Sequence, residues 1–160
     1  MRIKLTHDFF LTLCAICLAT LCVLSIINPL LFEGQRAKRE EVVKKRLIAI
    51  RSAEEKYKKE TGFYTGEFKE LVKRGFLADS VRIIPFSDGE EFEILVTTCI
   101  SKSGKHIPLM ECGAQYYQYL NGLDENSISN LIEKASVAGS YPGLKIGDIT
   151  KNNENAGNWE

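Results

Sequence analysis

The chain has 160 residues, with 21 Lys/Arg balanced by 21 Asp/Glu. A formal net charge of zero excludes a general electrostatic attraction for nucleic acid. Once an uncharged apolar run near the N-terminus is set aside, about 125 residues remain, which suits one domain with its own core.

Residues 1–8, MRIKLTHD, form a short basic N-terminus through Arg2, Lys4 and the terminal amine. Residues 9–32, FFLTLCAICLATLCVLSIINPLLF, hold no charged side chain. As a helix they span roughly 36 Å, enough for a bilayer core of about 30 Å. The run exceeds the apolar region of a signal peptide, and no A-x-A site follows it. It is therefore expected to be a retained transmembrane anchor in contact with the lipid bilayer. Pro29 is expected to disturb its last turns. Cys14, Cys17 and Cys22 lie inside the run, where a thiol behaves as a small hydrophobe and not as half of a redox or metal site.

Residues 33–42 read as a basic stalk, and the charge bias continues beyond them. Residues 35–60 carry ten Lys/Arg and five Glu, whereas residues 120–160 carry three Lys and six Asp/Glu. Counting basic residues places the following domain in the cytoplasm. A short basic N-terminus before a long apolar run is instead the form of a signal-anchor. An extracytoplasmic domain is the expectation adopted here.

A domain is expected over residues 43–150. Val43, Leu47, Ile50, Ala53 and Tyr57 recur at spacings of three and four and predict one buried helical stripe. Glu40–Lys44, Glu41–Lys45, Glu54–Lys58 and Glu55–Lys59 are predicted surface pairs at i,i+4. Gly62 ends the helix. A short helix is expected over 67–74, with Phe68, Leu71 and Val72 inward, capped by Gly75 with Phe76 folding back. From Ser80 the period becomes two. A short strand is predicted over 81–86, broken by Pro85, then a turn over 87–90 and a strand from Phe92 to Ile100 with Phe92, Ile94, Val96, Thr98 and Ile100 on one face. A turn at Ser103 and Gly104 leads to a returning strand over 105–112, with Pro108 marking an edge or a bulge. In that hairpin Cys99 and Cys112 come near enough for a disulfide to be possible. Asp124 is the predicted N-cap of a helix over 125–134 with Ile128, Leu131, Ile132 and Ala135 inward. A last strand is expected over 144–149. The Asn-rich tail, 151–160, is either loose or pinned by Trp159.

No catalytic, cofactor-binding or metal-ligating constellation emerges. His7 and His106 stand far apart without ligand spacing. No phosphate loop or nucleophile elbow is present, and no small-molecule substrate is indicated. Asp88, Glu90 and Glu91 read as a solvated turn. Asp148, Asn152, Asn153, Glu154 and Asn155 supply oxygens of the kind calcium takes, without EF-hand spacing. Tyr57, Phe63 and Tyr64 read as packing around a turn.

The order of parts resembles a type IV pilin or type II secretion pseudopilin. The match rests on Ala53-Glu54-Glu55-Lys56-Tyr57, Thr61-Gly62-Phe63-Tyr64, Leu71 and Gly75-Phe76-Leu77. It implies an α+β fold in which a transmembrane helix continues into an amphipathic helix packed on a small antiparallel sheet. It also implies a bacterial inner-membrane, single-pass protein with a non-enzymatic structural or assembly role among other envelope proteins. The prepilin cleavage motif is missing: Asp8 stands where the family has Gly, no Glu lies in the apolar run, and Thr65 replaces a Pro. The second half of the chain, ending in the Asn-rich tail Asn152 to Glu160, also resembles an uncharacterised family of short bacterial single-pass membrane proteins, which implies no function. The alternative from charge alone is a cytoplasm-facing scaffold that holds a partner at the inner leaflet through the basic stalk.

Overall fold

The computed structural model describes residues 2–101 and 104–160, with the backbone alone for residues 2–8, 24 and 26. The chain divides into two compact units, Met1–Gln35 and Arg36–Glu160. Helix α1 runs Arg2–Thr61 and contributes to both. It continues through Pro29. Proline removes one donor from the ladder, and the remaining bonds of the turn hold the helix together.

In the first unit the side chains described over residues 9–31 are exposed, Leu30 to 75%. This part of α1 is long and apolar enough to cross a membrane. Its hydroxyls are satisfied within the helix: Thr12 donates to the Phe9 carbonyl at 2.9 Å and Thr20 to that of Ile16 at 2.8 Å.

The second unit begins at Arg36 and so takes in most of the predicted stalk. Arg39 donates to the carbonyls of Tyr119 (3.0 Å) and Asn121 (2.8 Å). The Arg36 guanidinium lies 5.6 Å from the Tyr116 ring centre. These residues hold the domain together and do not project from it. Val43, Leu47, Ile50 and Ala53 are buried, as their spacing predicts, while Tyr57 is half-buried. Gly62 leaves the helix at φ +86°, its amide donating to the Lys58 carbonyl at 2.8 Å.

Helix α2, Phe68–Lys73, buries Leu71. Gly75 at φ +73° closes it: its amide donates to Val72 at 2.9 Å, and that of Phe76 to Leu71 at 3.0 Å. This is the Schellman pattern the sequence predicts. An added Cβ at Gly75 meets nothing within 4 Å. Gly75→Ala is therefore expected to cost only the left-handed backbone penalty, about 1–2 kcal/mol, measured as a shift in the urea unfolding midpoint.

The strand predicted over 81–86 does not form. A 3-10 turn occupies Asp79–Arg82, with Arg82 Nε donating to Asp79 Oδ1 at 2.8 Å. Ile83 makes only an isolated bridge to Glu91. Pro85 then offers no donor and Phe86 turns to φ +63°, so pairing cannot propagate.

Three strands, β1 (Glu93–Ile100), β2 (His106–Gln115) and β3 (Gly143–Gly147), form an antiparallel sheet in the order β1-β2-β3. The hairpin closes with Ile100 opposite His106. Gly104 turns at φ +78°, whereas the expected role of Ser103 lies outside the described residues. Phe92 and Ile94 are buried, but Val96 and Ile100 are exposed, so the core face of β1 is shorter than its alternation suggests. Pro108 lies opposite Thr98, where β2 has β1 alone as neighbour, because β3 pairs only with Glu111 through Gln115.

The register also overturns the disulfide. Cys112 lies opposite Ile94 and Cys99 opposite Ile107, five positions apart along β1. That is about 16 Å at roughly 3.3 Å per residue, beyond the reach of about 7 Å for a bridge. The odd offset puts the two thiols on opposite faces, and both are free.

Helix α3, Tyr116–Tyr119, follows β2 directly through a capping box between Gln115 and Gln118. Helix α4, Glu125–Val137, is capped by Asp124, which accepts from the Ser127 amide at 2.8 Å. It buries Ile128 and Ala135, while Leu131 and Ile132 are half-buried. Gly147 ends β3 two residues earlier than expected, at φ +71°.

The tail is ordered. Gly157 bridges Ile146, the Gly147 amide donates to Ala156 at 3.1 Å, and the Asn158 amide donates to Lys145 at 3.0 Å. Arg51 pairs with Glu160 at 3.0 Å, and Lys44 lies 5.7 Å from the Trp159 ring centre. The outer edge of β3 is covered in this way.

Candidate functional site at the Glu54 junction

Glu54 follows Leu47 and Ile50 by seven and four residues, which puts it on the apolar stripe of α1. Its side chain is 0% exposed. One carboxyl oxygen accepts from the Thr65 amide at 2.9 Å, while the other, Oε1, has no hydrogen-bond partner. The predicted Glu54–Lys58 surface pair is therefore absent. Lys58 turns to Tyr64 instead, 3.1 Å from its hydroxyl and 4.5 Å from its ring centre. Of the other predicted pairs, Glu41–Lys45 forms at 2.7 Å, and Glu40 takes Arg36 at 2.8 Å in place of Lys44.

Burial pushes the Glu54 carboxyl up to about 7, against the smaller opposing pull of the Thr65 amide. Cys112, on β2, is fully buried and its thiol is pushed well above the ordinary range, first by burial and then by the charge of Glu54. A thiol so raised is not a nucleophile. Tyr119 is also buried with an unpartnered hydroxyl, and burial raises it in the same sense.

The turn over 62–65 and the tail meet beside this carboxyl. Asn155 Nδ2 donates to the Tyr64 hydroxyl at 2.7 Å, and the Asn155 carbonyl accepts from Arg51 at 3.2 Å. Glu154 and Asn155 both adopt left-handed backbone, φ +56° and +57°. A cleft of about 450 Å³ opens between Lys58, Lys59, Tyr64, Asn152 and Glu154. Within it, Lys58, Tyr64 and Asn155 link the end of α1 to the tail. Tyr57 carries Arg74 stacked 4.8 Å from its ring centre, so Tyr57 and Tyr64 pack as expected, whereas Phe63 is 56% exposed.

The oxygens considered for calcium do not converge. Asp148 Oδ1 accepts from the Thr150 amide at 2.8 Å, Asn152 Oδ1 from Glu154 at 3.1 Å, and Asn153 Oδ1 from Asn155 at 3.1 Å. Each is occupied by a local turn. Among the described residues no three His, Cys, Asp or Glu side chains gather as a metal site. His106 is exposed at the start of β2, and the side chain of His7 lies outside the described residues. The acidic turn is more than a solvated loop: Asp88 accepts from Asn121 at 3.0 Å, Glu90 accepts from Gln118 at 2.7 Å, and Glu91 pairs with Arg82.

Glu54 is hidden in the sequence because an acid four residues before Lys58 looks like half of an ion pair. The signal was its place in the series 43, 47, 50, 54, 57, where an acid interrupts an otherwise apolar face.

No protein-family model, curated protein or solved structure matches the chain. The class the fold defines is thus an α+β domain whose first helix extends into a long exposed apolar segment.

Proposed function

We propose that this chain is a non-enzymatic, single-pass membrane-anchored protein. Its α+β domain serves as a structural or assembly component of an envelope complex, outside the cytoplasm. The observation that carries the reading is the exposed, uncharged helical surface over residues 9–31. Water is a poor solvent for so much contiguous apolar area, and a bilayer is a good one. The internally bonded Thr12 and Thr20 hydroxyls fit the same solvent, which offers no hydrogen bonds of its own. The order of helix, turn and antiparallel sheet supports a pilin-like architecture. The missing acid in the apolar run favours a permanent tether over a processed filament helix. Commitment of Arg39, Arg46 and Arg51 to contacts within the domain leaves a weaker basic surface for a lipid-bound scaffold.

The test is fractionation of the full chain. It is expected to stay in the membrane pellet through alkaline carbonate and high-salt washes. Leu18→Arg with Leu21→Arg is expected to release it, at a cost of about 2.5–3.5 kcal/mol per arginine near the bilayer centre. Wild-type protein in the wash supernatant sinks the reading. A compartment-specific reporter after Glu160 decides the side.

A further inference from the structure

Residues 62–66 connect α1 to Glu67, the N-cap of α2, and lie against β1 as a strap. An added Cβ at Gly66 would stand 3.5 Å from the Ile94 carbonyl oxygen and 3.6 Å from Val96 Cγ2. Phe63 and Tyr64 line a hollow of about 180 Å³ with Val96, Thr97, Thr98 and Pro108. Among the described residues no backbone–backbone hydrogen bond joins the strap to β1. Side chains hold it instead. The Tyr64 hydroxyl accepts from Asn155 Nδ2 at 2.7 Å and from Lys58 Nζ at 3.1 Å, in partly buried surroundings. The bond from the Thr65 amide to Glu54 Oε2, 2.9 Å, is fully buried.

We infer that the strap is a pH-linked latch: it lies closed while Glu54 carries its proton, and loss of that proton opens residues 62–67 locally and uncovers Val96 to Thr98 while the sheet stays folded. In the closed form Glu54 Oε1 has no donor and no exposure, so a charge there is unsolvated. No cation on α1 offsets it: Arg51 pairs with Glu160, and Lys58 is turned to Tyr64. From β2, Cys112 meets the carboxyl with a thiol kept protonated by burial, and Glu111 and Glu93 act on that thiol in the same sense as Glu54. From the strap, the Tyr64 hydroxyl is taken by Lys58 and Asn155, and the Thr65 amide is the one donor. Solvating the carboxylate therefore requires water to enter. Ladders of hydrogen bonds tie α1 and β2, whereas the strap has none, so it is the neighbour that yields at least cost. Closed, the carboxyl titrates near 7; opened, it returns to 4.5. Between those values opening releases a proton, and its equilibrium constant rises about tenfold per pH unit. Every residue involved belongs to the second unit, so the latch is independent of membrane anchoring.

The test is amide hydrogen exchange of the full chain in detergent, read by mass spectrometry on peptides covering residues 62–67 and 43–53. Rates are divided by the intrinsic rate at each pH, which leaves the opening constant. In the wild type the constant for 62–67 is expected to rise about tenfold per pH unit from about 4.5 to 7 and to level off above. Glu54→Gln, which cannot ionise, is expected to hold it flat. Peptides over 43–53 are expected to exchange more slowly at every pH and with a steeper urea dependence, the mark of local against global opening. A wild-type constant for 62–67 that does not change with pH overturns the latch, and does so even if the Gln variant fails to fold. So does an equal rise in folded Glu54→Gln, because another group then titrates. Exchange of 62–67 and 43–53 together, with one urea dependence, overturns it as well, since the opening is then global unfolding.

Discussion

Unfolding free energy of the second unit is expected to fall by about 3 kcal/mol between pH 4 and pH 8 through Glu54 alone, at roughly 1.4 kcal/mol per pH unit between its unfolded and folded values. The unfolded carboxyl titrates near 4.5 and the folded one near 7. A group raised on folding binds its proton more tightly in the native state. Its stabilising contribution is complete below pH 4.5 and is lost as pH rises through 7. The cause is local: a fully buried carboxyl has one oxygen on the Thr65 amide and the other with no donor, so a proton costs less than a charge there. Glu54→Gln keeps an acceptor for Thr65 and cannot ionise. The wild-type-minus-variant difference in stability should therefore slope with pH over that window, cancelling carboxylates such as Asp148 that act in the opposite sense. Urea titrations of both proteins, followed by the single tryptophan, Trp159, measure it. A difference constant from pH 4 to pH 8 defeats the prediction.

Glu54 also marks the limit of what was legible in the chain. Features set by neighbours in sequence were readable: the stripe from Val43 to Ala53, the glycine cap at Gly75, the N-cap at Asp124, and the hairpin around Gly104. Each depends on a period or on a conformational property of one residue type. What escaped depends on contacts distant in sequence. An acid four residues before a lysine looks like a surface pair unless the Thr65 amide is known to lie across from it. Arg36 and Arg39 look like stalk residues unless Tyr116, Tyr119 and Asn121 are known to receive them. The 3-10 turn at Asp79–Arg82 won over a strand through a three-residue-range ion pair and the left-handed Phe86, neither of which period-two patterning detects. The cysteine separation turned on hairpin register, and a small error there changes both distance and face.

The tail shows the same dependence most sharply, and Gly147 is where to test it. Gly147→Ala is expected to destabilise the second unit by about 3 kcal/mol, combining a left-handed backbone penalty of about 1–2 kcal/mol with overpacking of about 1–3 kcal/mol. The residue sits at φ +71°, and an added Cβ would overlap the Met110 carbonyl oxygen on β2. Backbone cannot yield as a flexible side chain does, so β3 must shift away from β2 at that end. The Gly147 amide is also what Ala156 accepts from, so the shift loosens the tail. Trp159 emission should respond at lower urea than the global transition. Gly139→Ala is the control, with φ +62° and open space around its Cβ, and should lose the backbone penalty alone. Equal losses in the two variants would mean that the β2–β3 approach at Gly147 is not tight, and that the tail is held by Asn155 and Glu160 without help from the strand edge.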